Sequence, residues 1–409
     1  MDEDTPTADV AQVVPAEVRT HLERGTQSVL VDTQALEAVR QRFDEEQATV
    51  LGSYLSSAQS PNTLRAYRTD WAAFTLWCEA EQRQFLPADP IDVAVYLATA
   101  ASTPSHDNPD RWALSPATLE RKAAAIAAVH GAHGVPSPTR ADVVRLTLRG
   151  IRRRRRAQPE RKHPLLLHTL ETLLEHRPPP EYPGGVARRR DALLLLTGFA
   201  GALRRSELAA LTFDDVTVDT EASTGDPLLI VRLAATKTDQ QARHAAQVAL
   251  PRGRRPVTCP ICAFVDWAEI ARAHHTGGSS AVRELLERSS STAEGRMHRC
   301  HTHTRTGLDE GNRYPLFPPV NQHGHIGRHA MSGRAVADLV KRYARRAGLD
   351  PRAFSGHSLR SGFATQAALS GADDRAIMRQ GRWTNPKTVH GYIRTANPLD
   401  DNAVTHLGL

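Results

Sequence analysis

Between residues 60 and 81, apolar side chains return every third or fourth position: Leu64, Tyr67, Trp71, Phe74 and Cys78. That spacing collects them on one face of an amphipathic helix. Ser60 followed by Pro61 marks its start, a hydroxyl N-cap and a first-turn proline. The segments "DPIDVAVYLATAAS", "SPATLERKAAAIAAVHGAHG" and "TRADVVRLTLRGI" also read as helices, separated by loops of Pro, Ser, Asp and Asn. Residues 46–150 are therefore expected to form an all-helical domain. Residues 1–45 read as an acidic, flexible N-terminal extension, with one helix around "TQALEAVRQRFDEEQATVLGSYL".

The pattern breaks at 151–164, where "IRRRRRAQPERKHP" reads as a basic, extended linker. Residues 165–398 form the second domain. Its "ARRRDALLLLTGFAGALRRSELAALTFDDVTV" reads as helical, and "PLLIVRLAATKTDQQARHAAQVAL" holds two apolar runs around a polar turn, a β-hairpin. "CPICAFVDWAEIARAHH" is helical again, and a His-rich insertion near 271–328 follows. Short helices then run to a C-terminal tail at 399–409. The fold class expected is mostly α: an all-helical N-terminal domain, then an α+β domain with a small antiparallel sheet.

A chain of 409 residues fits two domains with tails. No apolar run approaches the roughly 18 residues that span a bilayer. The N-terminus "MDEDTPTADV" lacks the apolar segment of a secretory signal, and four cysteines without such a signal point to free thiols in a reducing cytoplasm. The net charge of +7 suggests a polyanionic partner. Nearly all the basic residues are arginine, which a codon preference explains as readily as selection for DNA. The five lysines, at 122, 162, 237, 341 and 387, stand out against that background.

Four short stretches carry candidate chemistry. "GHSLRSGFAT" places His357 and Arg360 three apart at a helix start, a ready anion site or a capped helix with a surface arginine. "LRRSEL" sets Arg204 beside an apolar run, where a brace with Glu207 or an incoming phosphate would satisfy it. "TKTDQ" puts Lys237 in the hairpin turn, within reach of a groove or merely solvated. "GRWTNPKTVHGYIR" ends in Tyr392, in the second turn of a helix begun at Asn385-Pro386. Taken singly, Trp383 and Tyr392 are core aromatics.

In this order, "LRRSEL", "TKTDQ", "GHSLRSGFAT" and "GRWTNPKTVHGYIR" resemble the tyrosine recombinase (phage integrase) family, over roughly residues 60–400. The resemblance makes the N-terminal half a core-binding domain that clamps DNA. It places Arg204, Lys237, His357, Arg360, Trp383 and Tyr392 on the family's six active-site positions, with tryptophan where histidine is commoner. An indole N–H donates a hydrogen bond but cannot exchange protons as an imidazole does. The implied activity is site-specific recombination of double-stranded DNA through a 3′-phosphotyrosyl link, with no metal, ATP or other cofactor. The implied assembly is a homo-tetramer on inverted-repeat sites. A type IB topoisomerase, a telomere resolvase and a regulator that kept the fold without catalysis are the competing readings.

Arg65, Arg68, Arg121, Lys122, Arg145 and Arg149 flank the apolar stripes of the first domain and are candidate phosphate contacts. The best acidic pair, Asp214-Asp215, reads as a turn rather than a metal site. Cys259 and Cys262 form a CxxC, and Cys300, His301 and His303 follow about 37 residues later. That spacing is a weak match to a zinc site, so none is assigned.

Overall fold

The computed structural model describes residues 46–47, 60–106, 108–109, 111–155, 162–233, 246–289, 297–301, 313–393 and 407. The extension at 1–45, most of the tail at 399–409 and Lys237 lie outside the described residues. The chain divides into two compact units, residues 1–160 and 161–409.

The first unit is helical. Its helices are α1 (Pro61–Ala80), α2 (Pro90–Ser102), α3 (Pro116–Ala132) and α4 (Asp142–Arg155). The first three start the same way, with a capping side chain followed by proline. Ser60 Oγ accepts from the Thr63 amide at 3.2 Å, Asp89 from Ile91 at 2.7 Å, and Ser115 from Thr118 at 3.2 Å. Proline fits there because the first-turn N–H has no helical partner to lose. The stripe on α1 packs as its spacing predicts. Phe74 and Cys78 are buried with Val93, Leu97, Leu119, Ile126 and Val144, while Trp71 is only half-buried.

Two expectations change here. The arginine run begins as the last turn of α4 rather than as extended linker, because Leu148 and Ile151 still pack on the core and Arg155 donates to the Ala101 and Leu114 carbonyls. Arginine is also a good helix former, and cations suit a helix C-terminus. Lys122 is the second correction. It is buried, its Nζ donates to Tyr96 Oη at 3.0 Å, and it lies 3.6 Å from the buried Asp70 carboxylate. A lysine held inside this way braces α1, α2 and α3 and offers nothing to a phosphate outside. Its neighbour Arg121 grips the same carboxylate with two hydrogen bonds, at 2.7 and 3.2 Å, while its side chain stays about half exposed.

His130 is fully buried in this unit. Its Nε2 accepts from the Ala88 amide at 2.9 Å and its Nδ1–H donates to the Ile126 carbonyl at 2.8 Å. Both nitrogens are used by the neutral ring, and burial pulls its pKa below the ordinary value. The unfolded chain therefore takes up a proton first as pH falls through about 6.5, and stability drops from there until the folded-state pKa is passed. Thermal unfolding should show a falling midpoint between about pH 7 and 5.5 that is flatter in His130→Gln. An equally steep slope in the variant would place the titration elsewhere.

The second unit holds α5 (Leu167–Glu175), α6 (Gly184–Ala200) and α7 (Arg205–Ala210), then strands β1 (Val216–Thr220), β2 (Pro227–Leu233) and β3 (Ala246–Pro251). After them come α8 (Pro260–Ser289), α9 (Gly333–Arg346), α10 (His357–Leu369), α11 (Asp374–Gly381) and α12 (Pro386–His390). The strands form an antiparallel sheet in the order β1-β2-β3, with Leu229 opposite Leu250 and Val216 opposite Val231. Leu229, Val231 and Leu233 alternate inward, the period-two pattern of a half-buried strand. The expected hairpin is thus β2 and β3. The "VTV" segment, expected as helix, is β1 instead, consistent with its β-branched residues.

Helix α6 runs through the middle of this core, with Leu193, Leu194, Leu195 and Leu196 all buried, and α8 packs along it. The buried Arg190–Asp191 pair survives there because Tyr343 Oη donates to Asp191 at 2.9 Å and Arg190 donates to the Pro318 carbonyl at 2.7 Å. Helix α8 continues past His275, through the first part of the expected His-rich insertion. It kinks at Gly277-Gly278, with Gly278 at φ +63°, and then buries Val282 and Leu286 in the core.

Candidate active site

The cleft is assembled from three chain turns. Helix α6 stops at Gly201, and Ala202 takes a left-handed φ of +47°. Arg204 then adopts an extended conformation as the N-cap of α7, so it precedes the helix instead of lying within it. Its backbone N–H donates to Glu207 Oε2 at 2.9 Å, half of a capping box, and its guanidinium donates to Glu207 Oε1. Arg205 lines the same cleft.

Helix α10 supplies His357 and Arg360 from its first turn. Its start is held by the Leu165 amide donating to the Ser358 carbonyl at 2.9 Å, and the His357 amide donates to Ser355 Oγ at 3.2 Å. Arg360 is 1% exposed. Its guanidinium donates to the Ala202 carbonyl and, at 2.6 Å, to the Gly381 carbonyl, and lies 4.2 Å from the Trp383 ring centre. Those partners fix its plane before any ligand arrives.

The third turn ends α11. Gly381 must be glycine, because a Cβ there would fall 1.8 Å from Trp383 Cζ3. Arg382 follows in the left-handed region (φ +56°, ψ +45°), which lets the chain reverse and bury Trp383. Asn385 Oδ1 then caps α12, accepting from the Lys387 amide at 2.9 Å. That helix stops at His390, so Tyr392 stands in the turn after it and not in its second turn. The Tyr392 amide donates to the Val389 carbonyl at 2.7 Å, and its own carbonyl accepts from Thr365 Oγ1 at 2.9 Å. Val389 is buried in a small cluster with Ile377, Ala364 and Trp383, and Tyr392 and Ile393 pack against its edge.

Five of the six sequence-derived positions meet here; Lys237 is the sixth, outside the described residues. His357 Nε2 is 2.9 Å from Tyr392 Oη, and the Trp383 and Tyr392 rings are 5.5 Å apart. The cleft of ≈ 510 Å³ is lined by Arg204, Arg360, Arg382, Trp383, His357 and Tyr392, among others. A second hollow of ≈ 350 Å³, which shares His357 and Tyr392 with the first, brings in Lys162 and Lys387, two of the scarce lysines. On the first unit, Arg65, Arg68, Arg145 and Arg149 are exposed, Arg65 beside Asn62 and Arg145 paired with Asp142.

One residue of the cleft, Arg382, is not singled out by the sequence. Arg382 donates to Glu207 Oε2 at 2.9 Å, and its buried Nε has no hydrogen-bond partner. Glu207 is thus shared by two arginines rather than bracing one. The only sequence signal for Arg382 is its place beside Trp383, where a charged residue in an otherwise buried turn asks for a reason. Three guanidiniums face one carboxylate. Burial, then Arg204 and Arg382, pull the Arg360 pKa down to about 9, with Glu207 opposing. Burial likewise lowers that of Arg382. A guanidinium does not give up its proton at neutral pH, so the excess positive charge is instead a standing demand for an anion.

Residues 280–397 match the phage integrase family. An integrase/recombinase xerD homolog of Selenomonas ruminantium is 30% identical over 356 residues, covering 86% of this chain and 87% of that protein. The recombinase cre of Escherichia phage P1 is 25% identical over 335 residues, 79% of this chain and 80% of that protein. Among solved structures, the XerH site-specific recombinase bound to difH substrate aligns over 95% of this chain and 92% of that chain, with 16% identity and a TM-score of 0.48. On the relationship to the Selenomonas protein, the chain belongs to the phage integrase family of tyrosine recombinases.

Proposed function

We propose that the chain is a site-specific DNA recombinase that cuts and rejoins duplex DNA through Tyr392. One contact carries this reading: the 2.9 Å hydrogen bond between His357 Nε2 and Tyr392 Oη, at the mouth of a cleft floored by arginines. A phenol with a pKa near about 10 must lose its proton as it attacks phosphorus. With Nδ1 carrying the ring proton, His357 Nε2 accepts from Tyr392 Oη and takes that proton. Arg204 and Arg360 hold the non-bridging oxygens as negative charge builds on them. Glu207 fixes Arg204, and Trp383 lies under Arg360 and beside Tyr392, setting the angle between nucleophile and anion site.

The 5′-oxygen leaves as the tyrosyl bond forms, and Lys237 supplies its proton. The reverse attack, by the 5′-hydroxyl of a partner strand, releases Tyr392. One phosphoester replaces another at each step, so no ATP is consumed, and the arginines supply the charge stabilisation of the phosphate oxygens. Trp383 transfers no proton. Arg65, Arg68, Arg121, Arg145 and Arg149 grip the DNA backbone, as do Lys162 and Lys387 beside the nucleophile. The active assembly is a tetramer on inverted-repeat sites, with the C-terminal residues exchanged between subunits. The site of action is the bacterial cytoplasm, on the DNA of the nucleoid. No helix among the described residues is long and apolar enough to cross a membrane.

The test is a nicked suicide site, which lets the cleaved fragment diffuse away and strands the intermediate. Denaturing electrophoresis should show a protein–DNA band that forms in EDTA and without ATP. A band that requires divalent metal would overturn the reading.

A further inference from the structure

Four side chains that strand transfer does not use converge where strand β3 meets helix α8. Cys259, Cys262, His298 and Cys300 present one ligand atom each, all within 4.8 Å of one another. The three thiols are buried and form no disulfide with each other. His298 Nδ1 lies 3.4 Å from Cys262 Sγ and 3.7 Å from Cys300 Sγ. A tetrahedral zinc ion with Zn–S near about 2.3 Å and Zn–N near about 2.0 Å spaces its ligands about 3.5–3.8 Å apart. Buried thiols alone often serve as small apolar side chains. An imidazole nitrogen aimed at two of them does not fit that role.

The surroundings are built as a ligand frame. Gly253 passes so close that a Cβ would meet Cys259 Cα at 2.7 Å, so the strand-to-helix turn wraps the first cysteine tightly. The other ring nitrogen of His298 faces the Arg254 carbonyl at 3.5 Å, which orients the ring and leaves Nδ1 for a ligand. Arg299, between His298 and Cys300, is tied to Asp266 and Glu269 on α8, at 2.5 Å each. The Arg299 amide also points at Cys262 Sγ, at 3.4 Å. The sequence points instead to His301 and His303; His301 is exposed, and His303 lies outside the described residues.

We propose that Cys259, Cys262, His298 and Cys300 hold one structural zinc ion. The three thiols release their protons to solvent on binding, giving a site of net charge −1. The N-terminus of α8 and the nearby Arg252 offset that charge. With three thiolates and one imidazole the four positions are filled, and no ligand position is left for catalysis. The ion ties the segment around residue 300 to the corner between β3 and α8. It stands apart from the cleft, and the proposal does not depend on the recombinase reading.

Elemental analysis of the full chain, purified reduced and without added metal, should find about one zinc per chain. Cys78→Ser and Tyr392→Phe should keep it, whereas Cys300→Ser and His298→Ala should lose most of it. A thiol-directed mercurial should release the metal from the intact wild-type protein and lower its melting temperature, which covers the case of variants that fail to fold. Cobalt loaded in its place should show thiolate charge transfer with tetrahedral visible bands. Reduced, folded protein with four free thiols that carries no zinc and takes up none on titration overturns the proposal. A Cys259–Cys262 disulfide in freshly purified protein overturns it as well.

Discussion

Replacing Tyr392 by phenylalanine is expected to remove the covalent protein–DNA complex entirely while leaving the fold and the affinity for DNA in place. The variant loses a single oxygen. That oxygen's partner is His357 Nε2, at 2.9 Å, at the rim of the molecule. The ring keeps its place against Trp383 and the small cluster around Val389. Losing one such hydrogen bond at a half-exposed position costs about 1 kcal/mol or less. Losing the nucleophile, by contrast, leaves no path to a phosphotyrosine. Band-shift titration and melting temperature should therefore match wild type while the trapped band vanishes. His357→Ala should differ in kind: the nucleophile remains, and the trapped band forms about 10²–10⁴-fold more slowly.

Arg360→Lys is expected to lower single-turnover cleavage by about 10²–10³-fold, or roughly 3–4 kcal/mol of transition-state stabilisation, with DNA affinity changed by less than about tenfold. The substitution keeps the charge and fails on geometry. The guanidinium of Arg360 serves the Ala202 and Gly381 carbonyls and lies over the Trp383 ring, 4.2 Å from its centre. An ammonium is a point donor on a flexible stem and cannot satisfy two carbonyls, a ring face and a phosphate together. Full activity in Arg360→Lys would show that charge alone matters there and that the fixed plane is irrelevant. Measuring cleavage on a nicked site at saturating protein separates this loss from any weakening of binding.

What was legible in the sequence was local or carried by residue type. Helix starts at Ser60, Asp89 and Ser115 announce themselves because cap and proline sit side by side. The β2–β3 hairpin is legible because two apolar runs flank a polar turn. Arg204, His357, Arg360, Trp383 and Tyr392 are legible by order and neighbours, and the structure brings them into one cleft.

What was not legible depends on distant partners. Lys122 sits on a helix face that reads as solvated; only Asp70 and Tyr96, each far away in sequence, make it internal. Arg382 gains its meaning from Glu207, 175 positions earlier. Arg204 lies in a helical pattern, yet the left-handed Ala202 ends α6 and makes it a cap. Gly277-Gly278 suggests a loop, but Val282 and Leu286 find core beyond the kink and the helix resumes. His298 is one of three histidines within six residues, and proximity in space alone selects it.

Whether Tyr392 is the nucleophile is tested by locating the DNA on the protein. The trapped complex is digested with nuclease and trypsin, and the peptide carrying residual nucleotide is sequenced by tandem mass spectrometry. One modified peptide is expected, residues 388–394, with the phosphonucleotide on Tyr392. A nucleotide on any other residue, or a trapped band whose 388–394 peptide is unmodified, would contradict it.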